Sequence, residues 1–213
     1  MPINISPHFT DNKLDNPSFD DLVDVFEDRI KYWVLGPAKS LLNADFGHFA
    51  ALCLMLTYFE GIWIYIEGRD SKDHSKQFFR EGFIDVFRRS GISDRLLGQT
   101  ANILYEDARC GFFHDGMSRA RIYLCDWQEA ALQITLPKKN GQIDEGGQIQ
   151  SICVNPGRFY FSIEDHLNNF LTTLRKPEEI ASRNKFQEIC RTKWDWETEG
   201  PLMGIDDPTI PAT

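Results

Sequence analysis

Residues 49–66 read FAALCLMLTYFEGIWIYI, an almost unbroken apolar stretch. The stretch is long enough to raise the question of a transmembrane helix. Glu60 lies inside it, however, and a carboxylate at the centre of a membrane costs about 2.5–3.5 kcal/mol on insertion scales. The remaining helical segments are amphipathic, as is required of elements that cover a central helix. We therefore predict no membrane segment, but a buried core helix over about residues 46–67, capped by Asp45.

Amphipathic helices are predicted on both sides of this central helix. Ser18 and Asp21 form a capping-box pattern, with a shorter acid in place of the usual Glu. Apolar residues then recur at helical spacing up to Val34, and Gly36-Pro37 interrupts the pattern. Further helices are predicted at about 73–89, from a Ser93 cap with the inner stripe Leu97, Ala101, Leu104 and Ala108, at about 162–175 and at about 177–193.

A β-rich insertion is predicted between the helical segments. Runs at 121–125, 132–136 and 149–154 have strand composition, and 137–147 is typical of a loop. The predicted fold class is mainly α, a bundle of four to five helices with a small antiparallel sheet and C-terminal helices. We expect a single domain over 1–213, made of an N-terminal arm at 1–17, a helical core at 18–116 and 160–193, the insertion at 119–155 and an extended tail at 194–213.

The composition excludes several classes of protein. The 213 residues carry a formal net charge of −9 and a pI of about 5.0, which argues against a protein that coats nucleic acid through bulk charge. The five cysteines form no CxxC pair and are odd in number, so no disulfide framework is expected. The N-terminus has no basic region followed by an apolar run. These features favour a reducing, cytoplasmic location.

The best candidate for a chemical site is Arg109-Cys-Gly-Phe-Phe-His114. An imidazole can transfer a proton near neutral pH, and a guanidinium can hold a phosphate and the charge that builds on it. Five residues along an ideal α-helix turn a side chain by about 140° and advance it by about 7.5 Å. Spacing alone therefore does not bring Arg109 and His114 together; a bend at Gly111, the reach of Arg109 or a second protomer is needed.

Residues 104–116, LYEDARCGFFHDG, resemble the Arg-x4-6-His motif of the HEPN superfamily, and the apolar helix with Glu60 adds to the resemblance, which covers roughly residues 18–118. HEPN proteins are helical bundles, and many are metal-independent ribonucleases in which two protomers face one cleft. The resemblance implies a homodimer acting on RNA, with His114 as acid or base, Arg109 as the phosphate contact and Glu60 orienting Arg109. No cofactor is implied, and an antitoxin or another protein is a candidate partner.

Each of these residues also has an alternative interpretation. Cys110 stands where active HEPN members often have Asn, Asp or His, so a catalytically inactive protein that binds a partner, nucleotide or RNA stays open. Glu60 and Arg109 could form a purely structural ion pair. Cys110, His114 and Asp115 make a conceivable metal half-site without a second cluster, so no metal is expected. The histidines at 8, 48, 74 and 166 stand alone, and Glu164-Asp165-His166 is interpreted as a solvated helix start.

Overall fold

The computed structural model of the protein describes residues 3–111 and 121–194. In this part of the chain the fold is mainly helical with a small mixed sheet. The helices are α1 (Phe19–Arg29), α2 (Gly36–Leu42), α3 (His48–Glu67), α4 (Ser75–Phe87), α5 (Asp94–Ile103), α6 (Pro156–Leu174) and α7 (Ile180–Trp194), and π-helical segments follow α1 (Ile30–Leu35) and α5 (Leu104–Cys110).

Two predicted helix starts are confirmed at the level of single hydrogen bonds. Ser18 precedes α1, and its hydroxyl accepts from the Asp21 backbone N–H while the Asp21 carboxylate accepts from the Ser18 N–H. Ser93 caps α5 in the same way, through the backbone N–H of Leu96. Such caps satisfy amide groups that have no partner inside the helix.

Two other local predictions are wrong. Gly36-Pro37 does not end the first helix, since the chain runs through a π-helical turn directly into α2, with Pro37 in its first turn. A proline removes one helical hydrogen bond, and the wider turn before it absorbs that loss. The N-cap of α3 is Gly47 and not Asp45, and no side chain caps this helix.

The central position of α3 is confirmed. This helix is long and apolar enough to cross a membrane by length and composition, but it packs against α2, α4, α6 and α7. The Phe59 ring meets Phe79 and Phe83 of α4 and Phe159 of α6 edge to face, with ring centroids 5.2–5.5 Å apart. Helices on several sides are the surroundings of a core helix in a globular protein.

The predicted small sheet is present but is mixed and not antiparallel. Strand β5 (Ser151–Val154) lies between β1 (Ile122–Leu124), which runs parallel to it, and β2 (Leu132–Thr135), which runs antiparallel. The predicted loop contains a second hairpin, β3 (Lys138–Lys139) with β4 (Gln142–Ile143). Its two-residue turn is Asn140-Gly141, and both residues have positive φ, as a type I′ turn requires.

A disulfide joins Cys125 and Cys153 at the end of the β1–β5 pair, with Cα atoms 6.1 Å apart. The cysteine pattern predicted no disulfide framework and did not indicate this bond. The two cysteines are 28 residues apart, and strand pairing is what brings them together. Disulfides persist in oxidising surroundings, so the cysteine pattern no longer supports a reducing compartment.

The ends of the helical core also differ from the prediction. The described part of the N-terminal arm is docked: Leu14 is buried, and the Arg29 Nε donates to the Ile5 carbonyl over 2.8 Å. Helix α6 begins at Pro156, because the Asn155 side chain accepts from the Arg158 N–H as an N-cap. Most of the predicted extended tail, residues 195–213, lies outside the described residues.

Candidate functional site

The candidate motif begins in the π-helical segment Leu104–Cys110, which continues α5. Leu104 and Ala108, predicted as the end of the inner stripe, are fully buried and anchor the segment in the core. π-Helical turns are rare and occur frequently at functional sites. The segment also changes the predicted geometry, because the rotation of 140° between Arg109 and His114 assumed a regular α-helix. His114 and Asp115 lie outside the described residues, so their places relative to Arg109 stay predictions.

Arg109 forms an ion pair with Glu60 of α3, and the Nη2–Oε2 distance is 2.7 Å. The second carboxylate oxygen of Glu60 accepts a hydrogen bond from the Ser71 hydroxyl at 2.8 Å. Ser71 is buried, whereas 26% of the Arg109 side chain and 13% of the Glu60 side chain are exposed. Glu60 therefore has both oxygens engaged and holds the guanidinium in one orientation.

An aromatic ring supports the same guanidinium. The Arg109 Cζ lies 5.0 Å from the centroid of the Tyr105 ring, within the range of a cation–π contact. Tyr105 in turn packs on Phe79 of α4, with centroids 5.3 Å apart. Burial raises the pKa of the Tyr105 phenol, so this ring stays neutral beside the charged pair.

A close contact between the backbones of α3 and α4 fixes the position of the residues around Glu60. A Cβ atom on Gly82 would lie 2.1 Å from the carbonyl oxygen of Phe59, the residue before Glu60. Only glycine permits this approach of the two backbones. The position of the carboxylate therefore depends on a residue that carries no functional group.

A further ion pair links the π-helical segment to the sheet. Arg121 donates from Nε and Nη2 to one carboxylate oxygen of Asp107, at 3.0 and 2.7 Å. The Asp107 side chain is only 5% exposed. Arg121 is thus held against the π-helical segment by a largely buried carboxylate. Cys110, by contrast, is half-buried and has a free thiol.

No group of three or more His, Cys, Asp or Glu side chains could hold a metal ion among residues 3–111 and 121–194. The conceivable half-site at Cys110 involves His114 and Asp115, which fall in the gap between these ranges. The described part of the candidate site offers the chemistry of a positioned cation, suited to an anionic group such as a phosphate.

Sequence reasoning missed a second polar cluster, which lies around His166. The ring Nδ1 is 2.9 Å from the Tyr58 hydroxyl, and Nε2 is 3.0 Å from an Asp85 carboxylate oxygen. The His166 side chain is only 14% exposed, so its interpretation as part of a solvated helix start is wrong. One signal could have found it: His166 follows Ile163 by three residues and precedes Phe170 by four, which places it beside the inner stripe of α6.

The chain matches no protein-family model, no curated protein and no solved structure.

Proposed function

We propose that the protein is a metal-independent endoribonuclease of the HEPN type that works as a homodimer. The observation that supports this most is the position of Arg109, which is held by Glu60 and Ser71 at the start of the candidate motif. A guanidinium fixed in this way, with about a quarter of its side chain exposed, is suited to bind a phosphate without reorganising.

The reaction assigned to the site is an internal transfer at phosphorus. The 2′-hydroxyl of the RNA loses a proton to a base and attacks the adjacent phosphate, and the bond to the 5′-oxygen of the next nucleotide breaks as that oxygen gains a proton. The products are a 2′,3′-cyclic phosphate and a 5′-hydroxyl. His114 is the proton carrier in this proposal, and Arg109 stabilises the charge on the phosphate oxygens.

A second candidate function is a catalytically inactive HEPN-like protein that binds a partner, a nucleotide or RNA. One observation favours it: Glu60, Arg109 and Tyr105 contact one another without any substrate. Cys110 at the position after the arginine adds to this candidate. A purely structural Arg109 predicts that its removal lowers stability, whereas a functional one predicts loss of activity in a protein that stays folded.

The test is cleavage of a mixed RNA substrate in the presence of EDTA. We expect the wild type to cut, and we expect Arg109→Lys and His114→Ala to lower the rate by about 100-fold or more. This is the usual contribution of a group that stabilises transition-state charge and of a general acid or base. Arg95→Lys and His74→Ala are the matched controls, because both residues are exposed outside the motif. Cleavage that persists in the two motif variants would show that the activity comes from elsewhere.

The homodimer is tested with the same two variants. A cleft built from two protomers contains one intact Arg109 and one intact His114 when the Arg109→Lys and His114→Ala chains are mixed. Partial recovery of cleavage on mixing supports a shared cleft, and no recovery in a mixture that forms heterodimers contradicts it. Because RNA is the proposed substrate, we also propose a cytoplasmic location. In the reducing cytoplasm the Cys125–Cys153 bond would form only under oxidation.

A further inference from the structure

A separate cleft of about 380 Å³ lies where α3, α4, α6 and α7 meet. Its volume is within the range of pockets that hold small molecules, about 300–1,000 Å³. The wall contains an apolar part and a polar part. The apolar part is formed by Ile66, Val86 and Phe170, with Tyr65 beside them, and hydroxyl and amide groups come from Ser162, Asn169, Thr173 and Ser182. Asp165 also lines the wall, where its carboxylate accepts a hydrogen bond from the Asn169 side-chain amide at 3.1 Å.

His166 and Asp85 form the fixed polar centre of this cleft. An ionised carboxylate only accepts hydrogen bonds, so the proton of a neutral His166 ring lies on Nε2, and Nδ1 accepts from the Tyr58 hydroxyl. Tyr58 is 2% exposed, and burial raises the pKa of its phenol well above the ordinary value. The phenol therefore stays neutral, and its hydrogen bond fixes the orientation of the imidazole.

Asp85 is held ionised at the edge of this centre. The hydrogen bond from His166 keeps the pKa of the Asp85 carboxyl below its ordinary value, against the opposing effect of partial burial. Its second oxygen is 3.3 Å from Nη2 of Arg88, and 26% of the side chain is exposed. At neutral pH Asp85 is thus an oriented acceptor for hydroxyl groups of a ligand.

Two guanidinium groups follow Asp85 at the rim. Arg88 is 61% exposed and has only its long contact to Asp85, and Arg89 makes no ion pair with any residue in the described ranges. Both side chains line the cleft. Adjacent guanidinium groups bind phosphate oxygens through paired N–H donors.

We infer that this cleft binds a nucleoside 5′-monophosphate. Arg88 and Arg89 hold the phosphate, Asp85 accepts from the ribose hydroxyls, and the base lies against the apolar wall at Phe170. A carboxylate on ribose hydroxyls is a recurrent arrangement in nucleotide sites. The cleft contains none of Glu60, Ser71 or Arg109, so the inference does not rest on the proposed ribonuclease activity.

Binding of AMP, GMP, CMP and UMP at 1 mM or below is measured by calorimetry and by thermal shift, with adenosine and inorganic phosphate as partial probes. We expect at least one nucleotide to bind and to raise Tm. Either partial probe should bind at least tenfold more weakly, because each makes only part of the contacts. Arg88→Gln with Arg89→Gln should weaken the nucleotide about tenfold or more, the value of a charge-assisted contact.

Arg95→Gln is the matched control, since this arginine is exposed on α5 and away from the cleft. It should bind the nucleotide as the wild type does. Both rim arginines are exposed, so the double variant should remain folded, and far-UV circular dichroism checks this. The inference is overturned if no nucleotide binds, if adenosine binds as tightly as AMP, or if the double variant binds as tightly as the control.

Discussion

Removing the charges of Glu60 and Arg109 one at a time and together should reveal a strong coupling between them. Glu60→Gln keeps the size of the side chain, Arg109→Gln keeps a shorter polar side chain, and each deletes one charge. In the wild type the two groups are 2.7 Å apart, and the carboxylate is also fixed by Ser71. Each single variant leaves the other charge in a half-buried site, whereas the double variant leaves neither, so the effects should not add.

The size of the coupling follows from burial. Opposite charges about 4 Å apart attract by about 4 kcal/mol at an effective dielectric constant of about 20. Exposed pairs contribute only about 0.2–1 kcal/mol, and breaking a fully buried pair costs about 3–5 kcal/mol. With exposed fractions of 26% for Arg109 and 13% for Glu60, we expect a coupling of about 2 kcal/mol.

The assay is urea unfolding of the wild type and the three variants, from which the coupling energy is calculated. Lys76 and Glu106 form the matched control, because they are 2.5 Å apart but about half exposed. The corresponding single and double variants of this control pair should give a coupling energy of about 0.5 kcal/mol or less. That coupling energy should decrease in high salt. A coupling for Glu60 and Arg109 no larger than that of the control pair would refute the reasoning.

Four further substitutions have defined outcomes. Gly82→Ala places a Cβ 2.1 Å from a backbone oxygen and should cost about 1–3 kcal/mol in urea unfolding, while Gly61→Ala meets nothing within 4 Å and should stabilise its helix by about 0.5–1 kcal/mol. Tyr58→Phe removes the donor to the buried imidazole and should cost about 1–3 kcal/mol, measured the same way; a neutral result contradicts the hydrogen bond. The bond from Lys13, with those from the helix cap, lowers the pKa of Asp21 to about 2. Its stabilising effect is therefore complete above about pH 4 and is lost as the pH falls from about 4 to about 2, so Asp21→Asn should flatten the pH dependence of unfolding in that window.

The helical core could be predicted because its signals are local. A hydroxyl followed by an acid three residues later marks the start of α1, and apolar residues at helical spacing mark the buried faces of α1 and α5. An almost unbroken apolar run marks α3. Each such signal depends on neighbours within one or two turns. The pairing of Glu60 with Arg109 was accessible only through the family resemblance, since 49 residues separate the two.

The remaining features depend on contacts between distant parts of the chain. The parallel pairing of β1 with β5 joins residues 30 apart, and no local pattern distinguishes it from antiparallel pairing. The disulfide follows from that pairing. His166 was misjudged because its partners, Tyr58 and Asp85, lie 108 and 81 residues away, and charged neighbours in the sequence suggested solvent.

The direction of Arg109 depends on the hydrogen-bonding pattern of the π-helical segment that carries it. Such a segment is equivalent to one residue inserted into an α-helix, since each hydrogen bond spans one residue more. In regular α-helical bonding the extra residue would turn Arg109 by about 100° around the helix axis, away from Glu60. The wider hydrogen bonding therefore keeps Arg109 on the side of Glu60 in a segment that is one residue longer than an α-helix would need.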